Sequence, residues 1–112
     1  MLTEDYVSFE IAKLLKEKGF NERTNMPHID DYQRLVCYIP TLQMAMKWLR
    51  EVHNIDIEVR TYYLNYLKPN DTRYYSGKIL KDSEDVIHTI YSKDTYEEVC
   101  EDAIKYCLEI LI

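Results

Sequence analysis

The chain of 112 residues holds only two glycines, Gly19 and Gly77, and this alone removes a class of function. A phosphate cradle needs several glycines in one short loop, so that consecutive backbone N–H groups can close on an anion. Neither the dinucleotide fingerprint nor the P-loop can be built from two distant ones. Cysteine is scarce as well. Cys37, Cys100 and Cys107 are odd in number, and the last two, seven apart on an expected helix, would have α-carbons about 10 Å apart, beyond disulfide reach. No cysteine pair has the close spacing that zinc sites use, so all three read as reduced core thiols. None of Ser8, Ser76, Ser83 and Ser92 stands in a nucleophile-elbow sequence, and no cysteine has a recognisable histidine partner. The expectation is a protein that is not an enzyme, with no catalytic residue, metal or cofactor, and no motif implies a small-molecule ligand. No apolar run approaches the roughly 20 residues that cross a bilayer, and the N-terminus lacks a basic-then-apolar leader. A cytoplasmic protein without a membrane partner is expected.

What remains is an ordinary globular composition, 46% hydrophobic and 30% charged, at a length that suits a single domain spanning residues 1–112. The net charge of -6 hides an asymmetry. Residues 41–81 carry seven bases against four acids, whereas residues 82–112 carry two bases against nine acids. Such a division can steer partners, and it can equally be helix-terminus chemistry.

The chain is organised around residues 40–60. Pro40 disfavours helix for Ile39, and Thr41 offers a hydroxyl to the unpaired amides of a first turn, so a helix is expected from Leu42. Leu42, Ala45, Met46, Leu49 and Val52 recur at three- and four-residue steps, opposite Gln43, Lys47, Arg50 and Glu51. Met44 and Trp48 widen the apolar stripe, Trp48 as a half-buried anchor. Asn54 tolerates the left-handed conformation that ends helices, and Ile55-Asp56-Ile57-Glu58-Val59-Arg60 then alternates with period two, a strand with one buried face.

Before that stretch, Thr3 reads as the N-cap of a first helix, with Glu4 and Asp5 in its first turn and Leu2 placed to staple against Val7. Gly19 and Phe20 read as its Schellman stop. Val7, Ile11, Leu14 and Leu15 form its core stripe, and Phe9 falls on the polar side. Residues 21–33 are polar, Pro-punctuated and aperiodic, a loop in which His28, Asp30 and Asp31 cluster without any known ligand spacing. Leu35 to Ile39 is a short apolar run that could be an edge strand; whether it joins the main sheet stays open.

After it, Tyr62 to Leu67 is aromatic and ambiguous, and Lys68 to Asp71 has turn composition. Arg73 to Lys81 reads as a second strand, with Tyr74, Ser76 and Lys78 outward and Tyr75, Gly77 and Ile79 inward. Gly77 in mid-strand implies a bulge or the close approach of a helix. Lys81 to Asp85 reads as a turn and Val86 to Tyr91 as a third, antiparallel strand with His88 at its middle, a packed or surface residue. Thr95 and Glu98 form a capping box for the last helix. Tyr96, Val99, Cys100, Ala103, Ile104, Cys107 and Leu111 are its core stripe, and most of the acids beside them lie where the helix dipole favours negative charge. The expected architecture is α+β in two layers, an antiparallel sheet of about three strands with helices packed on one face.

The candidate interaction face is the outward side of that sheet, Arg60, Tyr62, Tyr74 and Lys78, with the exposed Phe9 as a further contact. Tyrosine among charges of both signs suits a protein partner or self-association, through this face or through a sheet edge. Nucleic acid is the alternative. Helix, strand, strand, strand, helix is the element order of double-stranded RNA-binding domains, but Asp94, Glu97, Glu98, Glu101 and Asp102 occupy the helix start that such domains keep basic.

Two segments, PTLQMAMKWLREVHNIDIEV and TYEEVCEDAIKYCLEILI, resemble a group of small uncharacterised proteins from prophage and mobile-element regions of Bacteroides-type gut bacteria. The likeness rests on Lys47 to Glu51, His53 to Ile55, Tyr96 to Glu98, Lys105 and Tyr106. It implies a phage or mobile-element accessory protein in a bacterial cytoplasm and carries no activity or ligand with it.

Overall fold

A threonine hydroxyl opens the helix that anchors the fold. In the computed structural model, which describes residues 5–64, 72–82 and 85–112, Thr41 Oγ1 accepts from Met44 N–H at 3.1 Å. The helix runs from Leu42 to His53 and stops at Asn54, whose φ of 55° is left-handed. In chain order the elements are α1 (Phe9–Glu17), β1 (Pro27–Ile29), β2 (Leu35–Tyr38), α2 (Leu42–His53), β3 (Ile55–Leu64), β4 (Thr72–Lys81), β5 (Asp85–Lys93) and α3 (Tyr96–Tyr106), which runs into a π-helical turn, Cys107–Leu111. The α+β architecture is as expected. β3, β4 and β5 form an antiparallel sheet in that order, and helices pack against it.

The register of β3 against β4 follows from the alternation. Ile57 lies opposite Ile79, Val59 opposite Gly77, Glu58 opposite Lys78 and Tyr62 opposite Tyr74. Apolar pairs therefore share the inner face and polar ones the outer, since a slip of one residue would exchange the two faces. α3 crosses the inner face and touches all three strands, and α2 packs beside it and on β3. Leu15, Leu49, Ile55, Ile79, Val99, Ile104 and Leu108 are fully enclosed where these layers meet. Gly77 sits where α3 comes nearest: a Cβ built there would stand 2.5 Å from Val99 Cγ1 and 3.2 Å from the Glu58 carbonyl. Of the two readings of Gly77 the close approach of a helix holds; the β4–β5 register does shift between Tyr75 and Gly77, but its extra residue lies on β5.

α1 differs from expectation at its start. Thr3 and Leu2 lie outside the described residues, and the helix begins only at Phe9, with Ser8 Oγ accepting from Ile11 N–H. Asp5, expected in the first turn, instead accepts from Leu42 N–H, and Val7 N–H donates to the Pro40 carbonyl. This short extended pairing fixes the segment beside the start of α2 and leaves no room for an earlier helical turn. The stop is the expected Schellman motif: Phe20 N–H reaches the Leu15 carbonyl, Gly19 N–H reaches that of Lys16, and Gly19 has φ 107°.

Three further differences have local causes. Val52, expected in the core, is 59% exposed, because the last turn of α2 runs past the surface it packs on. Tyr96 is exposed on the flank of α3, where its hydroxyl lies 3.4 Å from Gln43 Nε2. Leu108, outside the expected stripe, is fully buried. Leu108 follows Ile104 by four residues and so shares its face, and the π turn that continues the helix, closed by Ile112 N–H to the Cys107 carbonyl, leaves Ile110 facing out.

The tight seat of Val99 over Gly77 should make Gly77→Ala costly, by about 1–3 kcal/mol as an overpacking change. Chemical denaturation should also show that the costs of Gly77→Ala and Val99→Ala sum to at least about 1 kcal/mol more than the cost of the double variant, since trimming Val99 makes room for the new methyl.

Cys37, Cys100 and Cys107 are all free and buried. Burial pushes the Cys100 thiol up to about 11 and that of Cys107 up to about 12. Both should resist thiol reagents in native protein and react on unfolding. The folded state holds these protons where the unfolded chain, titrating near 9.0, has lost them. Stability from this source is therefore complete below that value and falls as pH rises through it, which thermal melts across the alkaline range will register.

Candidate interaction surface

Period-two alternation decides which side chains β3 and β4 present away from the helices. Glu58, Arg60 and Lys78 are exposed there, with Ser76 and Tyr74 half-buried among them. Arg60 lies opposite Ser76, Glu58 opposite Lys78, and Tyr62 shares the Tyr74 position across the pair of strands. The expected residues Arg60, Tyr74 and Lys78 thus fall on one face, with the backbone of Tyr62 in register with Tyr74. Opposite charges at a directly facing pair attract modestly, and the pairing leaves the face of mixed sign.

β5 extends this face with residues that the sequence did not single out. Its register to β4 shifts twice, between Tyr75 and Gly77 and between Ile79 and Leu80. The second shift opposes Leu80 to Val86 while Ile79 faces His88, so Val86 and Ile87 both turn outward and both are exposed. Tyr91, also outward, is 75% exposed. Inward, Ile90 is buried and His88 lies flat on Tyr106, ring centroids 3.8 Å apart and planes within 4°. His88 is accordingly a packed residue.

Phe9 belongs elsewhere. Its ring, 38% exposed, tilts over His28 at 3.8 Å between centroids, with Lys13 Nζ at 5.4 Å from the same ring. With Glu10, Lys13, Leu14, Glu17 and Glu109 it lines a groove of about 420 Å³ between α1 and the π turn. The structure does not bring Phe9 to the sheet face, because α1 packs on β2 and on the π turn. A second recess, about 290 Å³, borders Trp48. Trp48 is half-buried as expected, edge-on to Phe20 at 5.8 Å and to His53 at 4.8 Å.

The His28, Asp30 and Asp31 cluster resolves into a hairpin rather than a loop. Residues 27–29 and 35–38 pair antiparallel as a separate two-stranded sheet, so Leu35 to Tyr38 does not join β3, β4 and β5. Asp30 builds the turn: Oδ1 accepts from Tyr32 N–H at 2.8 Å and Arg34 N–H at 2.9 Å, and Oδ2 meets Arg34 Nε at 3.2 Å. Gln33, at φ 64°, completes it. With its oxygens so engaged Asp30 is a turn residue, and among the described residues no group of three His, Cys, Asp or Glu is arranged to hold a metal ion.

Set beside family models, curated proteins and solved structures, the chain matches none of them. Among the described residues no helix is long and apolar enough to cross a membrane.

The Arg34 amide, with Tyr32 N–H and the Arg34 side chain, holds the Asp30 carboxyl below its ordinary 3.8. A lowered carboxylate supports the turn at neutral pH and loses that support as pH falls through its shifted value. The amide resonances of Tyr32 and Arg34 should therefore move together on acidification with a common midpoint below 3.8, and Asp30→Ala should abolish that titration while leaving α2 and α3 intact.

Proposed function

We propose that this chain is a small protein-interaction module that acts by binding rather than catalysis and presents the β3–β5 sheet to a protein partner. The observation that carries the reading is the asymmetry of that sheet: α2 and α3 cover its inner side, and among the described residues no element packs on its outer side. A sheet this long with one bare face, carrying Tyr74, Tyr91, Ile87 and charges of both signs, has the composition of a contact surface. The resemblance of residues 40–59 and 95–112 to prophage and mobile-element proteins supplies the setting, an accessory protein in a bacterial cytoplasm.

Nucleic acid is the weaker reading. Lys78 stands directly opposite Glu58, and Asp94, Glu97 and Glu98 crowd the start of α3. A backbone of phosphates would gain little from so mixed a surface.

A photo-crosslinker at Lys78 should capture a defined protein, another chain or a second copy, and the yield should fall in a background of Arg60→Ala with Tyr74→Ala. The same probe at Glu51, on the wet side of α2, should capture nothing. Capture should change little with salt. Tight single-strand binding in filter assays, falling steeply with salt and with a slope that Arg60→Ala and Lys78→Ala each lower by about 1, would establish the nucleic-acid reading instead.

A further inference from the structure

The two edges of the three-stranded sheet are built differently. β3, at one edge, carries Asp56, Glu58 and Arg60 at alternate positions. Charges so placed discourage another strand from adding. β5, at the other edge, reads Val86-Ile87-His88-Thr89-Ile90-Tyr91 without lysine, arginine, aspartate, glutamate, proline or glycine. Among the described residues no strand pairs with its outer side. Every second residue of an edge strand turns an unpaired N–H and C=O outward, and an uncharged run of β-branched and aromatic residues is a ready template for pairing.

We propose that a second copy of this chain pairs with β5 along this edge, antiparallel and centred on Thr89, joining two three-stranded sheets into one of six strands. It rests on the reading of the sheet as the interacting element and names both the partner and the register. The register comes from the chain itself. The two β-bulges of β5, near Val86 and Ile87 and near Tyr91 and Ser92, confine its uninterrupted ladder to residues 88–90. Only an arrangement centred on Thr89 sets the whole of that run in one copy against the whole of it in the other. The pairing is then self-complementary. On the outer face Ile87 meets the partner's Tyr91 and Thr89 meets its own mate; on the inner face His88 meets the partner's Ile90. At each end Asp85 of one copy approaches Lys93 of the other, whose ammonium is already held by Asp102 at 2.8 Å, so Asp85 joins an existing ion pair across the axis.

The layers allow it. A two-fold axis normal to the sheet keeps both α3 helices on one side, each crossing above its own β4. Those strands would lie three spacings apart, about 14 Å, against the roughly 8–10 Å of packed helices, while over β5, where Tyr106 stacks on His88, the two α3 ends would lie closer and flank the axis. An isologous contact of this kind closes on itself.

The native thiols are buried, so a cysteine introduced on the outer face of β5 is the one that reagents and oxidants reach. Wild-type protein should sediment as a dimer at micromolar concentration. Thr89→Cys should form a disulfide-linked dimer on mild oxidation, because directly opposed residues bring their α-carbons within disulfide range. Tyr91→Cys alone should not, since its mate would lie four residues away, roughly 14 Å. Ile87→Cys with Tyr91→Cys should link. Thr89→Lys should sediment as a folded monomer with an unchanged circular dichroism spectrum, and mixing it with Thr89→Glu should restore the dimer. Failure of Thr89→Cys to link in a protein that does dimerise, or a wild type that stays monomeric at every concentration, would overturn this pairing. The Lys78 capture experiment would still decide the wider reading, since its Arg60 and Tyr74 variants leave the β5 edge untouched.

Discussion

The spacing between α3 and the sheet is set by one contact, Val99 over Gly77, and the remaining structure is arranged around it. A side chain at position 77 would fill the space that Val99 occupies. The helix therefore lies close enough for Cys100, Ala103, Ile104 and Cys107 to be enclosed completely. Close packing of this kind gains dispersion contacts that a wider gap would forfeit. α3 then serves as the platform for the N-terminal elements. Glu101 Oε1 accepts from Ser8 N–H at 2.8 Å, and Lys18 Nζ donates to the Ile112 carbonyl at 2.7 Å, so α1 is tied to α3 and its π turn at both ends.

This arrangement accounts for part of the acidic C-terminal third. Glu101 places negative charge at the start of α1, where the helix dipole is positive; burial raises its pKa while the Ser8 amide opposes the rise. Asp102 pairs with Lys93 at 2.8 Å, which raises the lysine's pKa and tethers the end of β5 to α3. Glu98 N–H donates to Thr95 Oγ1 at 3.1 Å, and the same hydroxyl lies 3.2 Å from Glu98 Oε1, so the cap engages both groups of one residue. Acids that could have been taken as a docking surface are, at these positions, structural.

The elements that sequence made legible are those whose signals are local. The Thr41 and Thr95 caps, the Asn54 stop and the Schellman turn at Gly19 each depend on residues within one or two turns. Alternation along β3 and β4 fixed the faces, and so placed Arg60 and Lys78 together on the outer side. Features that depend on distant residues were not legible. Thr3 and Ser8 are equally good caps on local grounds, and the choice of Ser8 involves Glu101, 93 residues later. β1 has three residues and no periodicity to display; its cause is the Asp30 turn. Ile87 and Tyr91 were not singled out because the sequence reading assigned faces to β3 and β4 and none to the third strand.

The bulges of β5 bear on what the sheet can and cannot do. An edge that is uncharged along its whole length recruits strands without limit, the geometry of fibres. Here the regular part of β5 is short and bounded, with Asp85 beyond one end and Lys93 beyond the other. Pairing two such edges about a two-fold axis consumes both of them. What the pair then offers to solvent at its outer limits is β3 twice, with Asp56, Glu58 and Arg60 at alternate positions. Addition of a third copy would have to set β5 against that charged strand or β3 against itself. In the first case the uncharged run would face carboxylates and a guanidinium with no matching partners, and in the second the charged half of β3 would have to be drawn into the pairing. In the proposed pair growth would therefore stop at two, because the edge that accepts a strand and the edge that refuses one lie on opposite sides of the same sheet.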